Sequence, residues 1–308
     1  MILIISDSDD ASTTYVLKWL NYYNKKYIRV NSQDKIDLKF EGEDILFKIN
    51  DLIFNFSDIK SFWYRRGFFN FRDLETINIK QFDELRKEEF SSFIKYIYYR
   101  LEKLKSINSI FTAVVNKLIV NDLARDFKII TPKDYIFSNS SSLKNKINKS
   151  KLQLISKVVS GNCMYNFEDF TIFNYTKIVN LENINTDDFF PSLVQDRIEK
   201  KYELRVFYLE GLFYSMAIFS QNDSQTNVDF RNYNYAKPNR TVPFQLPKEI
   251  ECKLDLLMKK IGLNCGSLDL IVTPKNEFVF LEVNPVGQFG MTSYPCNYNL
   301  EKIIANYL

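Results

Sequence analysis

Residues 266–285 read GSLDLIVTPKNEFVFLEVNP, two apolar runs separated by a short polar segment. The runs predict two strands, and Pro274-Lys275-Asn276 suits a tight turn between them. Because side chains alternate along a strand, Asp269 lies on the face opposite its apolar neighbours, and Glu282 and Asn284 share one face. A hairpin that sets Asp269 beside Glu282 and Asn284 presents three oxygen-bearing side chains at one point.

These three side chains are candidate metal ligands. A carboxylate inside an apolar strand is costly to bury unless it is paired or bound to a cation. Two carboxylates and an amide suit Mg²⁺ that is also bound to substrate phosphates. The alternative interpretation is an acidic hairpin edge that faces solvent.

The composition excludes several classes of enzyme. The chain has 308 residues and no histidine, which rules out Ser-His-Asp and Cys-His catalysis and every His-based metal site. Lys plus Arg (41) and Asp plus Glu (38) leave a net charge of +3, too balanced for a dedicated binder of nucleic acid or membrane surfaces. The remaining polar side chains suit phosphates and hard cations.

The cysteines and the N-terminus indicate a cytoplasmic protein. The cysteines are scattered without a CxxC motif, which favours free buried thiols over a zinc site: Cys163, Cys252, Cys265 and Cys296. The opening MILIISDSDD lacks the basic region of a signal peptide. No apolar run approaches the roughly 20 residues of a transmembrane helix.

The order of the predicted elements indicates three domains. An apolar strand, a helix over 11–24 and a strand over 27–30 predict a βαβ unit that opens a Rossmann-like domain, residues 1–105. A second domain, residues 106–190, holds an amphipathic helix over 116–127 and a strand over 152–159. The third, residues 191–308, is rich in strands: 204–210, 212–219, 266–273 and 277–283, with a helix over 248–261.

Further charged residues suit phosphate chemistry. Lys117 opens the second helix, and Lys157 precedes the small-residue turn Ser160-Gly161, where a lysine can hold a phosphate as a point charge. The mixed-charge segment that begins with Gln195 and Asp196 is predicted to be a loop that leads into a strand. Glu203 and Arg205 share a face of that strand; such an arginine can neutralise a phosphoryl group, and such a glutamate can bind ribose hydroxyls. The alternative is a strand of surface salt bridges.

Taken in order, these residues resemble the ATP-grasp superfamily, whose typical motifs are similar to YELRVF at 202–207 and LEVNP at 281–285. Within it, the chain resembles the graspetide maturases, above all the GRASP-with-SPASM type, in the motifs WYRR at 63–66, NK at 116–117, ITP at 130–132 and DFR at 229–231. The loop 160–166 departs from the glycine-rich loop of other members. The resemblance implies an α/β and α+β ATP-grasp fold, with a Rossmann-like N-terminal domain and two α+β domains that hold ATP.

The resemblance also implies roles for individual residues. Lys117 and Lys157 would hold the phosphates of the nucleotide, and Arg205 would stabilise the transferring phosphoryl group. The adenine would contact Gln195, Asp196 and Ile198, and the ribose would contact Glu203. Asp269, Glu282 and Asn284 would hold Mg²⁺. Arg65 and Arg66 would face a peptide.

Asp229 and Arg231 are further candidates for catalysis and peptide binding. They lie in a stretch without apolar periodicity, and such loops on a rigid scaffold often carry binding residues. Two positions apart, they would face the same way in an extended chain. Arg231 would orient the reacting carboxylate, and Asp229 would position Arg231 or accept a proton. The alternative is a solvent-exposed ion pair.

The activity that the resemblance implies is an ATP-dependent carboxylate ligase that closes rings in a ribosomally made precursor peptide. Asp or Glu side chains would become acyl phosphates, which a Ser/Thr hydroxyl or a Lys amine would capture as an ω-ester or ω-amide. The expected cofactors are ATP and Mg²⁺. The expected partner is the precursor peptide, which consists of a leader and a core. Neither nucleic acid nor a membrane is expected as a partner, and a homodimer is compatible with these expectations. The alternatives are a ligase that adds a free amino acid to a protein or small acid, and a non-catalytic ATP-binding module.

Overall fold

A computed structural model describes residues 1–71, 79–150, 152–159, 164–173 and 175–308, with only the backbone at 164–166 and 173. These residues form two compact units, one of residues 1–113, 288–293 and 299–308, the other of 114–287 and 294–298. The predicted separation of 106–190 from 191–308 stays a prediction. The turn at Ser160-Gly161 and the thiol of Cys163 lie outside the described residues.

The first unit begins with a parallel sheet in the order β2-β1-β6-β8. β1 is buried along its whole length because it is a central strand with neighbours on both sides. A second sheet has the order β5-β4-β3-β7. The elements of this unit are β1 (Ile2–Ser6), α1 (Ala11–Tyr22), β2 (Tyr27–Asn31), β3 (Lys35–Glu41), β4 (Asp44–Ile49), β5 (Leu52–Asn55), β6 (Ser61–Tyr64), β7 (Asn70–Phe71), α2 (Lys80–Glu102), β8 (Lys105–Ile107) and α7 (Leu300–Tyr307).

The predicted βαβ opening is confirmed, since β1 pairs in parallel with β2 on one side and with β6 on the other. Helix α1 begins after Asp10, whose carboxylate accepts from the backbone N–H of Thr13, an N-terminal cap. The helix ends at Tyr22, two residues before the predicted limit.

The second unit contains three antiparallel sheets. A four-stranded sheet has the order β13-β10-β14-β9, a five-stranded sheet has the order β17-β16-β15-β18-β19, and β11 and β12 form a hairpin. Helix α6 (Gly290–Cys296) contributes residues to both units. The other elements are α3 (Lys117–Asp126), β9 (Asp134–Asn139), α4 (Ser140–Lys149), β10 (Leu154–Ser156), β11 (Met164–Asn166), β12 (Thr171–Phe173), β13 (Lys177–Ile178), β14 (Asp188–Asp196), β15 (Tyr202–Leu209), β16 (Leu212–Phe219), β17 (Arg240–Phe244), α5 (Lys248–Ile261), β18 (Cys265–Val272) and β19 (Phe278–Asn284).

One face of the five-stranded sheet is apolar, and the other, here called the polar face, carries charged side chains beside a smaller apolar cluster. Leu204 and Leu268 pack with Leu254 and Leu257 of α5 in the core of this unit. Alternation along β15 and β18 therefore turns the intervening polar side chains to the other face: Glu203, Arg205 and Asp269. The hydrophobic pattern thus decides which face carries the charged groups.

A β-bulge between β18 and β19 places Glu282. Asp269 pairs with Glu282, but the next residue, Leu270, pairs with Phe280, so Leu281 is the extra residue. Strict alternation would put Phe280 and Glu282 on the same face. The bulge separates them, and Phe280 stays in the core while Glu282 joins the polar face.

Three sequence predictions need correction. Strand β10 covers only Leu154–Ser156, since its pairing with β14 ends there, and Lys157 follows the strand instead of lying within it. Gln195 and Asp196 end strand β14 instead of lying in a loop, because β9 and β10 flank that strand. Cys252 is exposed, whereas Cys265 and Cys296 are buried as predicted.

The exposure of Cys252 follows from its place on α5, which buries Leu254, Leu257 and Met258. None of the helices in the described ranges combines the length and the apolar character needed to cross a membrane.

Candidate active site

Three cations surround the carboxylate of Glu282. The Nζ atom of Lys117 lies 3.0 Å from Glu282 Oε2, and the Nζ atom of Lys157 lies 3.7 Å from it. Arg231 Nη1 lies 3.7 Å from Oε1. The side chains of Glu282 and Lys117 are each only 8% exposed, so this charge cluster is largely shielded from water.

Local structure holds Lys117 in place. Lys117 is the first residue of α3, and the side chain of Asn116 caps that helix by accepting from the backbone N–H groups of Leu118 and Ile119 at 3.0 and 3.3 Å. Lys117 also donates to the carbonyl oxygen of Val158, 3.1 Å away. The motif Asn116-Lys117 therefore anchors the cation as well as supplying it.

Glu282 is charged in this setting. Burial by itself would raise its pKa, but Lys157, Lys117 and Arg231 outweigh that effect and lower the pKa to about 2. Burial also lowers the pKa of Lys157 from its ordinary value, against the attraction of Glu282. The site is thus a positive cluster around one carboxylate.

Arg205 and Asp269 form a second buried pair. They face each other in the β15–β18 register, and Arg205 Nη1 donates to both carboxylate oxygens of Asp269 at 2.8 and 2.6 Å. Burial raises the pKa of Asp269, although Arg205 opposes the shift. Arg205 Nε is buried and has no hydrogen-bond partner among the described residues. The guanidinium therefore keeps donor capacity for a ligand.

Asp229 and Arg231 lie in a turn rather than in an extended segment. Their side chains still face each other, because Asp229 Oδ1 accepts from both the backbone N–H (3.0 Å) and Nε (2.9 Å) of Arg231. Asp229 Oδ2 accepts from Arg231 Nη2 at 2.7 Å and from the backbone N–H of Thr176 at 3.1 Å. The interpretation as a solvent-exposed ion pair is wrong for Asp229, which is buried.

Next to this cluster is a cavity lined by both polar and apolar side chains. Residues predicted to contact adenine and ribose line it together with Lys157: Gln195, Asp196, Ile198 and Glu203, as well as Leu281 of the bulge. Glu203 Oε1 accepts from Lys200 Nζ at 2.5 Å and from Ser220 Oγ at 2.7 Å. Burial raises the pKa of Glu203 against the effect of Lys200.

The donor set fits a magnesium ion that arrives with phosphates better than a resident metal centre. No group of three or more carboxylate or thiol ligands is gathered in the described part of the chain. Asp269 and Glu282 are register partners, and Asn284 pairs with Ser267 two positions along the hairpin. Two carboxylates plus an amide leave coordination positions that phosphate oxygens and water fill on Mg²⁺.

Arg65 and Arg66 lie in the first unit and differ from each other. Arg65 is only 2% exposed; its Nε donates to Asp10 Oδ2 at 3.0 Å, and its guanidinium lies 5.4 Å from the ring centre of Phe289. Arg66 is 39% exposed and lies 4.0 Å from Asp10. Arg66 is thus the more accessible of the two.

The sequence interpretation missed three residues of the site. Lys200 and Ser220 hold Glu203, and Asp134 receives a hydrogen bond from Gln195 Nε2 at 2.6 Å. Asp134 lies at the start of β9, far from Gln195 in sequence, so no local pattern joins them. Only the pairing of β9 with β14 brings them together.

Solved structures of similar fold cover the whole chain. The macrocyclase MdnC of Microcystis aeruginosa MRC, bound with precursor peptide MdnA, is 27% identical, with a TM-score of 0.79 over 100% of this chain and 99% of MdnC. A Chryseobacterium gregarium RiPP-associated ATP-grasp ligase, in complex with ADP and a leader and core peptide, is 22% identical, with a TM-score of 0.81 over 99% of this chain and 94% of that one.

The ATP-grasp ligase PsnB, complexed with minimal precursor, Mg and ADP, is 13% identical, with a TM-score of 0.70 over 99% of this chain and 96% of its own. Neither a protein-family model nor a curated protein sequence matches the chain. The predicted α/β and α+β fold is confirmed. Over its full length the chain is similar in fold to the macrocyclase MdnC and to the two ATP-grasp ligases named above.

Proposed function

We propose that this chain is an ATP-grasp ligase that binds ATP with Mg²⁺ and activates Asp or Glu side chains of a ribosomally made precursor peptide as acyl phosphates. Capture by a Ser/Thr hydroxyl or a Lys amine then closes an ω-ester or ω-amide ring. Full-length similarity to the macrocyclase MdnC supports the peptide as substrate. The narrower resemblance to GRASP-with-SPASM maturases and the homodimer stay predictions.

The observation that carries the proposal is a surplus of positive charge in a largely buried cluster, whose most exposed member is Arg231 at 34%. Lys117, Lys157, Arg205 and Arg231 meet three carboxylates, those of Asp229, Asp269 and Glu282. Burying cations without full compensation is costly, so such a surplus favours a polyanionic ligand. A triphosphate with its magnesium ion has the required charge and hard oxygens.

Activation forms one bond and breaks one. A carboxylate oxygen of the peptide attacks the γ-phosphorus of ATP, the bond from that phosphorus to the β-γ bridging oxygen breaks, and ADP leaves. Lys117 and Lys157 hold the phosphates, and Arg205 neutralises charge on the transferring group. Glu203, held by Lys200 and Ser220, meets the ribose, and the backbone at Asp196 and Ile198 meets the base.

Asp269, Glu282 and Asn284 would hold Mg²⁺, which neutralises phosphate charge when bound. The pKa of Asp229 lies below its ordinary value, because hydrogen bonds and charge from Arg231 outweigh burial. A carboxyl with a lowered pKa is a weak base, so Asp229 positions Arg231 rather than accepting a proton.

Arg231, in turn, orients the peptide carboxylate. Arg66 contacts the peptide, and the buried Arg65 holds the end of β6 in place through its ion pair with Asp10. In the second step the hydroxyl or amine attacks the acyl carbon, inorganic phosphate leaves, and the proton departs with it.

The test combines the purified chain, ATP, MgCl₂ and a synthetic peptide. The peptide is rich in Thr/Ser and Asp/Glu and is encoded by a short reading frame beside the gene. We expect ADP release and the loss of one water per ring by mass spectrometry. Hydroxylamine should trap the acyl phosphate as a hydroxamate. Mild alkali should then open an ester and leave an amide closed.

Two other results would replace the proposal. A linear adduct of increased mass would identify a ligase that adds a free amino acid. Nucleotide binding without ADP release, in the presence of any such peptide, would identify a non-catalytic module.

A further inference from the structure

Asp134 collects hydrogen bonds from three side chains. Gln195 Nε2 donates to Oδ1 at 2.6 Å, and Asn121 Nδ2 donates to Oδ1 and Oδ2 at 3.3 and 3.1 Å. Arg125 Nη1 donates to Oδ2 at 3.4 Å. Asp134 and Gln195 are also register partners of β9 and β14, so the backbone holds the two side chains together.

This arrangement decides which end of the Gln195 amide faces Asp134. A carboxylate paired with arginine accepts hydrogen bonds and donates none, so only the amino end of Gln195 can meet it. The carbonyl oxygen Oε1 then points the other way. Oε1 is buried and has no partner among the described residues, and Gln195 lines the cavity shared with Ile198 and Leu281. A buried acceptor without a donor is costly unless a ligand supplies the donor.

We propose that Asp134 is a positioning residue that fixes Gln195 Oε1 toward the nucleotide base and so makes the ligase select adenine over guanine or hypoxanthine. Adenine carries an amino donor at its 6-position, where guanine carries a carbonyl acceptor. With guanine or hypoxanthine, Gln195 Oε1 would face the carbonyl oxygen at position 6, and neither acceptor would have a donor. Unpaired acceptors in a buried site lower the affinity for these bases. The inference rests on the proposed nucleotide site and adds how its base selection arises.

The substitution Asp134→Asn tests the orientation directly. Arg125 has only donors, and it and the shorter hydrogen bond of Asn121 Nδ2 both reach Oδ2, so the new amide oxygen keeps the Oδ2 position. The new amino group then takes the Oδ1 position and faces Gln195. Gln195 must turn its carbonyl toward that group, which presents its own amino end to the base. Asp134→Asn therefore inverts the hydrogen bond offered to position 6.

The measurement is calorimetric affinity for ADP and for IDP, which differ in the 6-substituent. The wild-type chain should bind ADP more tightly, and Asp134→Asn should lower the ADP-to-IDP affinity ratio at least about tenfold. Asp122→Asn is the matched control, because Asp122 also pairs with Arg125 but makes no bond to Gln195. The control should leave the ratio within twofold.

A double substitution separates positioning from structural damage. If Asp134 acts through Gln195, then in a Gln195→Met background Asp134→Asn should no longer change the ratio. An unchanged ADP-to-IDP affinity ratio in folded Asp134→Asn overturns the inference. If Asp134→Asn changes this ratio equally in the wild-type and the Gln195→Met backgrounds, the inference is also overturned.

If Asp134→Asn does not fold, the nucleotide affinities of the wild-type chain still test the inference. ADP, purine riboside diphosphate and IDP should bind in that order, and IDP as tight as ADP overturns the inference. Failure of the proposed function looks different, because the wild-type chain would then bind none of the three nucleotides.

Discussion

Two buried ion pairs of this molecule, Arg65–Asp10 and Arg205–Asp269, differ in how far their hydrogen-bonding groups are satisfied. In the first unit, Asp10 accepts from the backbone N–H and hydroxyl of Thr13 at 3.2 and 2.6 Å and from Arg65 Nε at 3.0 Å. In the second unit, Arg205 and Asp269 lie on a sheet face beside Glu282, whose carboxylate is surrounded by three further cations. Arg205 Nε lacks a hydrogen-bond partner among the described residues.

The difference separates a structural pair from a candidate binding site. The Asp10 carboxylate is satisfied by groups of its own unit, so that pair stabilises the junction of β1, α1 and β6. The Glu282 cluster holds cations and a guanidinium donor beyond what its carboxylates satisfy. A buried ion pair is thus evidence for a site only when part of its hydrogen-bonding capacity is left for a ligand.

The largest expected effect is that of Glu282→Gln. The substitution keeps the shape of the side chain but removes the charge that three cations and the proposed magnesium ion share. ADP formation should therefore fall at least about 10⁴-fold, about 5 kcal/mol. Circular dichroism should show a retained fold. Glu277→Gln, an exposed carboxylate of the same hairpin, is the control and should change the rate less than twofold. Wild-type ADP production by Glu282→Gln would contradict the metal role.

Next is Asp10→Asn, which should affect stability and not nucleotide binding. Asparagine still caps α1, but it leaves the guanidinium of Arg65 buried without its counter-charge. We expect a loss of about 3 kcal/mol in the free energy of unfolding, measured with urea. The exposed neighbour Asp9 provides the control, Asp9→Asn, with little change. A large loss of ADP affinity in folded Asp10→Asn would erase the contrast between the two pairs.

Arg231→Ala should separate nucleotide from peptide. Ring closure should fall about a hundredfold, roughly 3 kcal/mol of lost positioning, while ADP affinity stays within a few-fold. Arg240→Ala, at an exposed residue of β17, serves as the control. If ADP affinity falls in step with ring closure, Arg231 is a phosphate ligand.

The smallest effect is a pH dependence at Asp10. Burial raises its pKa, but Arg65 and the Thr13 hydrogen bond outweigh burial and hold the pKa below its ordinary value of 3.8. A lowered pKa adds stability that is fully present above about pH 4 and is lost as the pH falls through the folded-state pKa.

The stability gap between wild type and Asp10→Asn should therefore narrow below pH 4, by at most about 1.4 kcal/mol per pH unit. Urea denaturation between pH 3 and 6 measures it, and a gap that widens in acid would reverse the assignment.

Much of the fold follows from local pattern. The buried run of β1, the amphipathic helices and the β18–β19 hairpin are predicted from apolar spacing alone, because burial selects the period of each element. Site residues on regular strands follow as well, since Glu203, Arg205 and Asp269 interrupt apolar alternation. Asp134 and the difference between Arg65 and Arg66 could not be predicted, because each depends on partners distant in sequence.

The amino-acid sequence alone determined the chemistry that is open to this protein: no imidazole, and lysines, arginines and carboxylates embedded in apolar strands. Tertiary structure decided where these groups meet. The bulge at Leu281 turns Glu282 away from the core, and the β9–β14 pairing sets Asp134 against Gln195. Register and bulges arise from the packing of whole sheets, so no stretch of sequence read by itself specifies them.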